Sequence, residues 1–291
     1  MDNKTNKKNK IIYHYTTFAN FINIVQTKKL WFGEIGSSND TVEGKWFIES
    51  LKGKKDRDLY KKFQKLQQED NTISFKGCFC DSKDNLSLWR GYSDDAKGIA
   101  LGFEIQDIEN KNDIKNPNQD LISSIVISEI EYYNVLSKKI KTTLKNQKIL
   151  IEKLTSFLQN QEKKPEAEKQ LLKNLFIRYS NTIKHNCFKN EKEIAVIVTI
   201  EKNNLQKCQE TLVINENNKF LFPVLEIKEP ANVVKKLSGS LGIKKVEDYH
   251  LVLKEIVIGS KNSASKETIT SILKINGFKN IKISKSKLPY K

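Results

Sequence analysis

Residues 194–200, Ile-Ala-Val-Ile-Val-Thr-Ile, form an uncharged and almost wholly apolar run with no polar face. A run of that length without alternation marks a strand covered on both sides. The chain must therefore build a sheet with material packed on both faces. Glu191-Lys192-Glu193 directly precede the run. If the strand extends back through them, Glu191 and Glu193 point to one side, because side chains alternate along a strand. Two like charges on one face at the mouth of a core strand cost energy unless something uses them. The competing reading is an ordinary charged strand end at the surface.

A second stretch, Phe75 to Phe103, complements the first. It opens on a short apolar segment (Phe75, Gly77, Cys78, Phe79, Cys80), crosses a polar turn, presents Trp89 and Tyr92, and closes on Gly98-Ile99-Ala100-Leu101-Gly102-Phe103. The pattern predicts strand, aromatic-bearing turn or short helix, strand, the way a rigid scaffold offers flat rings to a ligand.

The remaining segments read as walls around these two. Ile11–Thr16 is a short strand, and Phe18, Phe21, Ile22 and Val25 fall on one stripe of a helix capped by Thr16 or Thr17. Lys28-Lys29 end that helix and Leu30-Trp31-Phe32 return as a strand. His14 sits between two tyrosines ahead of the helix; a lone histidine at a strand end is either structural or part of a site. Gly36 to Asp40 is a loop leading to a helix over about 41–68, with Asn39 and Asp40 as its default cap. Residues 104–120 read as a loop and 121–133 as a strand. Two lysine-faced helices, 136–160 and 166–185, read as a hairpin inserted in a mainly β core. Residues 210–228 read as a β-hairpin, and 251–258, 265–276 and 281–283 as strand, helix, strand.

Charge adds a partner argument. The net +16 is placed unevenly: +3 over residues 1–10, −3 over 11–135, +9 over 136–190, zero over 191–260 and +7 over 261–291. A near-neutral core with basic flanks is the footprint expected for a polyanion such as nucleic acid. A composition generally rich in Lys and Asn explains the same counts without a partner. The four cysteines show neither zinc-finger nor thioredoxin spacing, and Cys78 and Cys80 share one face of a strand as packing residues. Three scattered histidines argue against a metal centre. The absence of a 20-residue apolar run or a secretory leader points to a cytoplasmic protein with no membrane partner. The expected organisation is a basic disordered tail, 1–10, followed by a single domain, 11–291, carrying the basic insertion 136–190.

Eight short motifs occur in order: Tyr13-His14-Tyr15-Thr16, Leu30-Trp31-Phe32, Asn39-Asp40 with Glu43, Trp89-x-x-Tyr92, Lys97-Gly98, Glu191-x-Glu193, Ile256-Val257-Ile258-Gly259 and Leu288-Pro289-Tyr290. Together they resemble the bacterial DUF2971 family. That family in turn resembles ADP-ribosyltransferases, and the opening of this chain is similar to that of poly-ADP-ribose polymerases and DarT-type toxins. The resemblance implies an α+β fold, an ADP-ribosyltransferase-like split β-sheet core with a helical hairpin insertion, acting on NAD as substrate. It implies His14 on the adenosine ribose, Tyr92 (or Trp89) stacked on nicotinamide, and Glu193 steadying an oxocarbenium-like transition state. Glu191 would orient or deprotonate the acceptor. Tyr15, Thr16, Asn39 and Arg90 complete the implied NAD-contacting set. The implied role is a toxin or antiphage defence effector modifying nucleic acid, held in check by an antitoxin or other regulatory protein. A protein-directed transferase, an NAD glycohydrolase and an inactive nucleic-acid-binding module are the alternatives. One departure stands out: the family's usual Arg two positions after the second Glu is Ala195 here, and Arg90 is the candidate substitute for its charge.

Overall fold

The computed structural model describes residues 11–37, 60, 61, 64, 65, 68, 71–105, 122–133, 165, 180–204, 213, 214, 220–228 and 251–290. The expected tail 1–10, nearly all of the helix over 41–68, the loop over 106–120 and the body of the lysine-faced hairpin lie outside these residues. Along the chain come β1 (Ile11–Thr16), α1 (Phe18–Thr27), β2 (Lys29–Glu34), a 3-10 turn (Ile35–Ser37), β3 (Thr72–Cys80), α2 (Leu86–Tyr92) and β4 (Ile99–Ile105). Then follow β5 (Ile122–Glu129), β6 (Glu131–Tyr133), β7 (Ile183–His185), a 3-10 segment (Asn186–Glu191), β8 (Glu193–Glu201), β9 (Val213–Ile214), β10 (Phe220–Lys228), β11 (Leu251–Ile258), α3 (Lys266–Ile275) and β12 (Lys282–Lys285). The fold is α+β.

The apolar run lies in β8, buried from Glu193 through Ile200. It pairs antiparallel with β3 over nine positions, from Thr72↔Glu201 to Cys80↔Glu193, and with β5 on its other side. The ladder continues from β3 to β2, β10, β11, β4 and β1, and β1 meets β3 again. Six strands therefore close into a ring, with β8 and β5 extending it as a wing. The closing contact is narrow: β1 and β3 share the single register pair Tyr13↔Cys80, whereas β1 and β4 share six.

Local chemistry explains the helices. Thr17 caps α1 by accepting the Asn20 N–H at 3.2 Å, and Lys28, at φ 53°, ends it in the left-handed region. The expected stripe is confirmed with a small rotation: Phe21, Ile24 and Val25 are buried, and Phe18 and Ile22 are partly covered. Ser265 caps α3, which links the parallel pair β11 and β12 and buries Ile269 and Leu273.

The main core cluster is rich in aromatics, with Phe21, Phe32, Phe75, Phe79 and Phe103 all buried. Phe32 lies directly across Gly77, where a Cβ would stand 2.2 Å from its ring, and so reaches Phe79 edge-on at 6.3 Å. Only glycine fits there.

Three expectations are corrected. The second hairpin helix does not reach His185: Ile183–His185 is β7, paired in parallel with β6. Glu191 is not part of the apolar strand but ends the 3-10 segment, and Lys192 (φ 47°) turns the chain into β8. Residues 121–133 form two strands rather than one, broken at Ile130, whose N–H donates to the Glu193 carbonyl at 2.9 Å. In each case long-range pairing overrode the local pattern.

Candidate active site at the β1/β3 seam

Beyond Tyr13↔Cys80, β1 and β3 share no further ladder pair, and a small cleft of about 40 Å³ opens beside the seam. Tyr13, His14, Tyr15, Cys78, Phe79, Leu88, Tyr92, Glu191 and Glu193 line it. His14 bridges the gap: its Nδ1–H donates to the Cys78 carbonyl at 3.0 Å. A carbonyl only accepts, so Nδ1 carries the proton and Nε2 is the acceptor of the neutral ring. Burial lowers the His14 pKa, against the opposing pull of that carbonyl, and favours the neutral form.

α2 roofs the cleft. Asn85 caps it, with Oδ1 accepting the N–H groups of Ser87 and Leu88, and Asn85 Nδ2 donates to the Asn190 carbonyl at 2.9 Å, tying the helix to the segment that carries Glu191. Tyr15 anchors the same corner, donating to the Ser82 carbonyl and accepting the Asn85 N–H, both at 2.9 Å. Trp89 is fully buried, edge-on to Tyr15 at 4.8 Å, and its Nε1–H donates to Asp84 Oδ1 at 2.8 Å. It is a pillar beneath the helix and does not line the cleft. Of the two aromatics the sequence left open, Tyr92 is the one that does, at 42% exposure.

After Tyr92 the backbone runs through three left-handed residues, Asp94, Asp95 and Ala96, with φ of 46°, 52° and 67°. Each costs on the order of 1–3 kcal/mol unless its surroundings fix it. Lys261 holds Asp95 at 2.6 Å and donates its own N–H to the Ala96 carbonyl, and Tyr290 Oη also donates to Asp95. Asp84 accepts Ser286 Oγ at 2.6 Å and the Lys287 N–H at 2.8 Å. The terminal Leu288-Pro289-Tyr290 motif thus belongs to a strap that fixes α2.

The carboxylates form the polar floor. Glu193 is buried, with Lys76 Nζ 2.9 Å from Oε1 and Lys184 Nζ 2.5 Å from Oε2. Its N–H donates to Tyr132 Oη at 2.8 Å. Burial alone would push the Glu193 carboxyl up; the two ammonium groups outweigh it and hold the carboxyl down to about 2. Burial alone would push the Lys184 ammonium down; Glu193, Cys78 and Glu191 together outweigh it and hold it up. The Cys78 thiol, pushed up to about 12 mainly by burial, is no nucleophile. Glu191 is more open: Tyr92 Oη donates to its Oε1 at 2.9 Å, and Lys184 Nζ lies 3.4 Å from Oε2. The two glutamates converge as expected, but through Lys184 rather than through strand alternation.

Four predicted residues thus meet in the cleft: His14, Tyr92, Glu191 and Glu193. Tyr15 also lines it, with its hydroxyl committed to the scaffold. Thr16 is buried at the end of β1 and Trp89 beneath α2, outside the lining. Arg90 is exposed on α2, where its charge acts on Asp95. Asn39 lies outside the described residues. Ala195 packs in an apolar cluster with Ile35, Ile130 and Ile197. The cations on Glu193 come instead from Lys76 and Lys184, neither of which the sequence reading picked out. Lys76 carried a signal, as the one charge in an otherwise apolar strand segment. Lys184 carried none, because β6 and β7 place it beside Tyr132 through the register Tyr132↔Lys184.

Among the described residues no helix is long and apolar enough to cross a membrane, and no three His, Cys, Asp or Glu side chains group to hold a metal. No curated protein and no solved structure matches the chain. Residues 88–194 match the model of a family described as "Protein of unknown function (DUF2971)". The matched stretch runs from α2 to the start of β8 and contains Trp89, Tyr92, Lys184, Glu191 and Glu193. Over that stretch the chain is similar to the DUF2971 family.

Proposed function

We propose that the cleft cleaves NAD and transfers ADP-ribose to a macromolecule, nucleic acid before protein. The observation that carries this reading is the convergence, in one cleft at the seam of a closing sheet, of a neutral histidine of set tautomer, an exposed tyrosine and two lysine-anchored carboxylates. The reaction has matching needs. The bond between ribose C1′ and the nicotinamide nitrogen breaks, and its electron pair leaves with nicotinamide. The oxocarbenium-like ribose then takes a lone pair from an acceptor oxygen or nitrogen, whose proton passes to solvent. A fixed carboxylate next to C1′ stabilises the developing cation, and a site shielded from water strengthens that effect. Tyr92 supplies a flat face for the pyridinium ring. Nε2 of His14 can accept from a ribose hydroxyl, since Nδ1 already holds the proton.

The acceptor reading rests on charge. Lys266, Lys274, Lys279, Lys282, Lys285 and Lys287 are exposed on α3, β12 and the segments around them. Such a surface attracts phosphate without reading sequence. Among the described residues β12 pairs only with β11, however, and lysines on an edge strand also keep it from pairing with another chain. The role as toxin or antiphage defence effector, with a regulatory partner, follows from the resemblance and forms part of the proposal.

The test incubates the protein with labelled NAD and, separately, total RNA, single-stranded DNA and lysate protein, following label transfer and nicotinamide release. Transfer to one nucleic acid, falling with added salt, is the expected result. Transfer to protein alone reassigns the acceptor, and nicotinamide release without transfer indicates a glycohydrolase. No turnover with any of them would overturn the enzymatic reading and leave a binding module.

A further inference from the structure

The geometry points to Glu191 as the carboxylate that meets the substrate, with Glu193 acting beneath it as the counter-charge that holds Lys184 in place. This inference rests on the NAD-cleaving reading above and divides the labour between its two carboxylates. It reverses the roles carried over by resemblance, in which the second glutamate faces the ribose.

The argument is one of access. The Glu193 side chain is 3% exposed, and each of its oxygens faces its own buried ammonium group. Both of its oxygens are shut off from solvent, so a ribose hydroxyl could reach them only by opening the packing around a buried ion pair whose lysines are 5% and 6% exposed. The Glu191 side chain is 15% exposed. Each of its oxygens has one recorded donor, Tyr92 Oη and Lys184 Nζ, so lone pairs remain for a hydroxyl entering from the cleft. Tyr92, the exposed aromatic at the mouth, touches Glu191 and not Glu193. A ring stacked on Tyr92 therefore brings its attached ribose to Glu191. Lys184 joins the two layers, 2.5 Å from Glu193 and 3.4 Å from Glu191. In the reaction Glu191 accepts from the ribose hydroxyl beside C1′ as the C1′–nitrogen bond breaks, and nicotinamide departs with the bonding pair. Glu193 and Lys76 touch no substrate atom.

Three proteins test the assignment: the parent, Glu191→Gln and the double variant Lys76→Met/Glu193→Gln. The double variant removes one charge of each sign and leaves the Lys184–Glu191 pair, so the buried charge stays balanced. Folding is checked by circular dichroism and thermal melting. The expected result is that Glu191→Gln, melting close to the parent, loses nicotinamide release from NAD at least 100-fold, while the folded double variant keeps a tenth or more of the parent rate. A folded but inactive double variant beside an active Glu191→Gln overturns the assignment. A second measurement is independent of turnover. The parent is treated with a water-soluble carbodiimide and glycinamide, and the peptides are read by mass spectrometry. Modification of Glu191 with protection of Glu193 is expected, and the reverse pattern overturns the assignment. If the parent releases no nicotinamide, the NAD reading fails by itself, and the labelling pattern still decides which carboxylate faces the cleft.

Discussion

β3 has two edges, and they differ. Toward β8 it pairs at nine consecutive positions, Thr72 to Cys80; toward β1 it pairs at Tyr13↔Cys80 alone. The sealed edge carries the apolar run and the buried core. The open edge carries the cleft, with His14 spanning to Cys78 where ladder bonds would otherwise lie. A complete ladder satisfies its backbone internally and leaves nothing for a ligand. An interrupted ladder needs side chains to complete it, and those side chains become available for chemistry. Lys76 and Glu193 link the two edges, because the buried carboxylate on the sealed side anchors Lys184 beneath the open one.

The largest way to break this contrast is to remove the shared charge. Glu193→Gln leaves Lys76 and Lys184 buried without their common partner, and the expected loss is about 3–5 kcal/mol in urea unfolding. Adding Lys76→Met should recover part of it; a recovery of nothing would mean that the pair does not anchor the seam.

Acid should act through the same group. The Glu193 carboxyl is held down from 4.5 to about 2 in the folded chain, so the stabilisation is fully present above the ordinary glutamate value and lost as pH falls through 4.5 toward 2. A loss on the order of 3 kcal/mol over that window is expected for the parent. Glu193→Gln should show a flatter stability curve between pH 5 and 2, and identical curves would rule the group out.

The open edge is expected to be more forgiving. His14→Leu removes the donor to the Cys78 carbonyl and should cost about 1–2 kcal/mol. Hydrogen exchange should quicken at β1 while the β3/β8 ladder stays protected. Equal quickening on both edges would erase the distinction between them.

The smallest effect on stability should come from Tyr92→Phe. It deletes an exposed hydroxyl bound to Glu191 and should shift stability by less than about 0.5 kcal/mol. Under the proposed chemistry it keeps the ring and loses a donor to Glu191, so NAD turnover should fall more than stability does. Steady-state nicotinamide release beside a melting curve checks this.

Much of the fold was legible because its signals are local. The uncharged run at 194–200 could only be a covered strand, the stripe after Thr17 only an amphipathic helix, and 251–283 a strand, helix and strand in sequence. His14, Tyr92 and the two glutamates could be named because polar or aromatic groups stood beside apolar strands without a packing reason. The site's inner layer was not legible. Lys184 fell in a segment that read as helix and became a strand by pairing with Glu131–Tyr133. Trp89 read as a ligand-facing ring as readily as Tyr92, and only the packing of Tyr15, Asp84 and the C-terminal strap placed it inside.

The sequence by itself determined most of the core strands, the capped helices α1 and α3 and four of the cleft's side chains, because those depend on neighbours a few residues apart. The tertiary structure alone decided that six strands close at a single pair and that Lys76 and Lys184 meet on Glu193. It also decided that Glu191 stands in front of Glu193. Register between distant strands sets those contacts, and a slip of one residue would send each of these side chains to the other face.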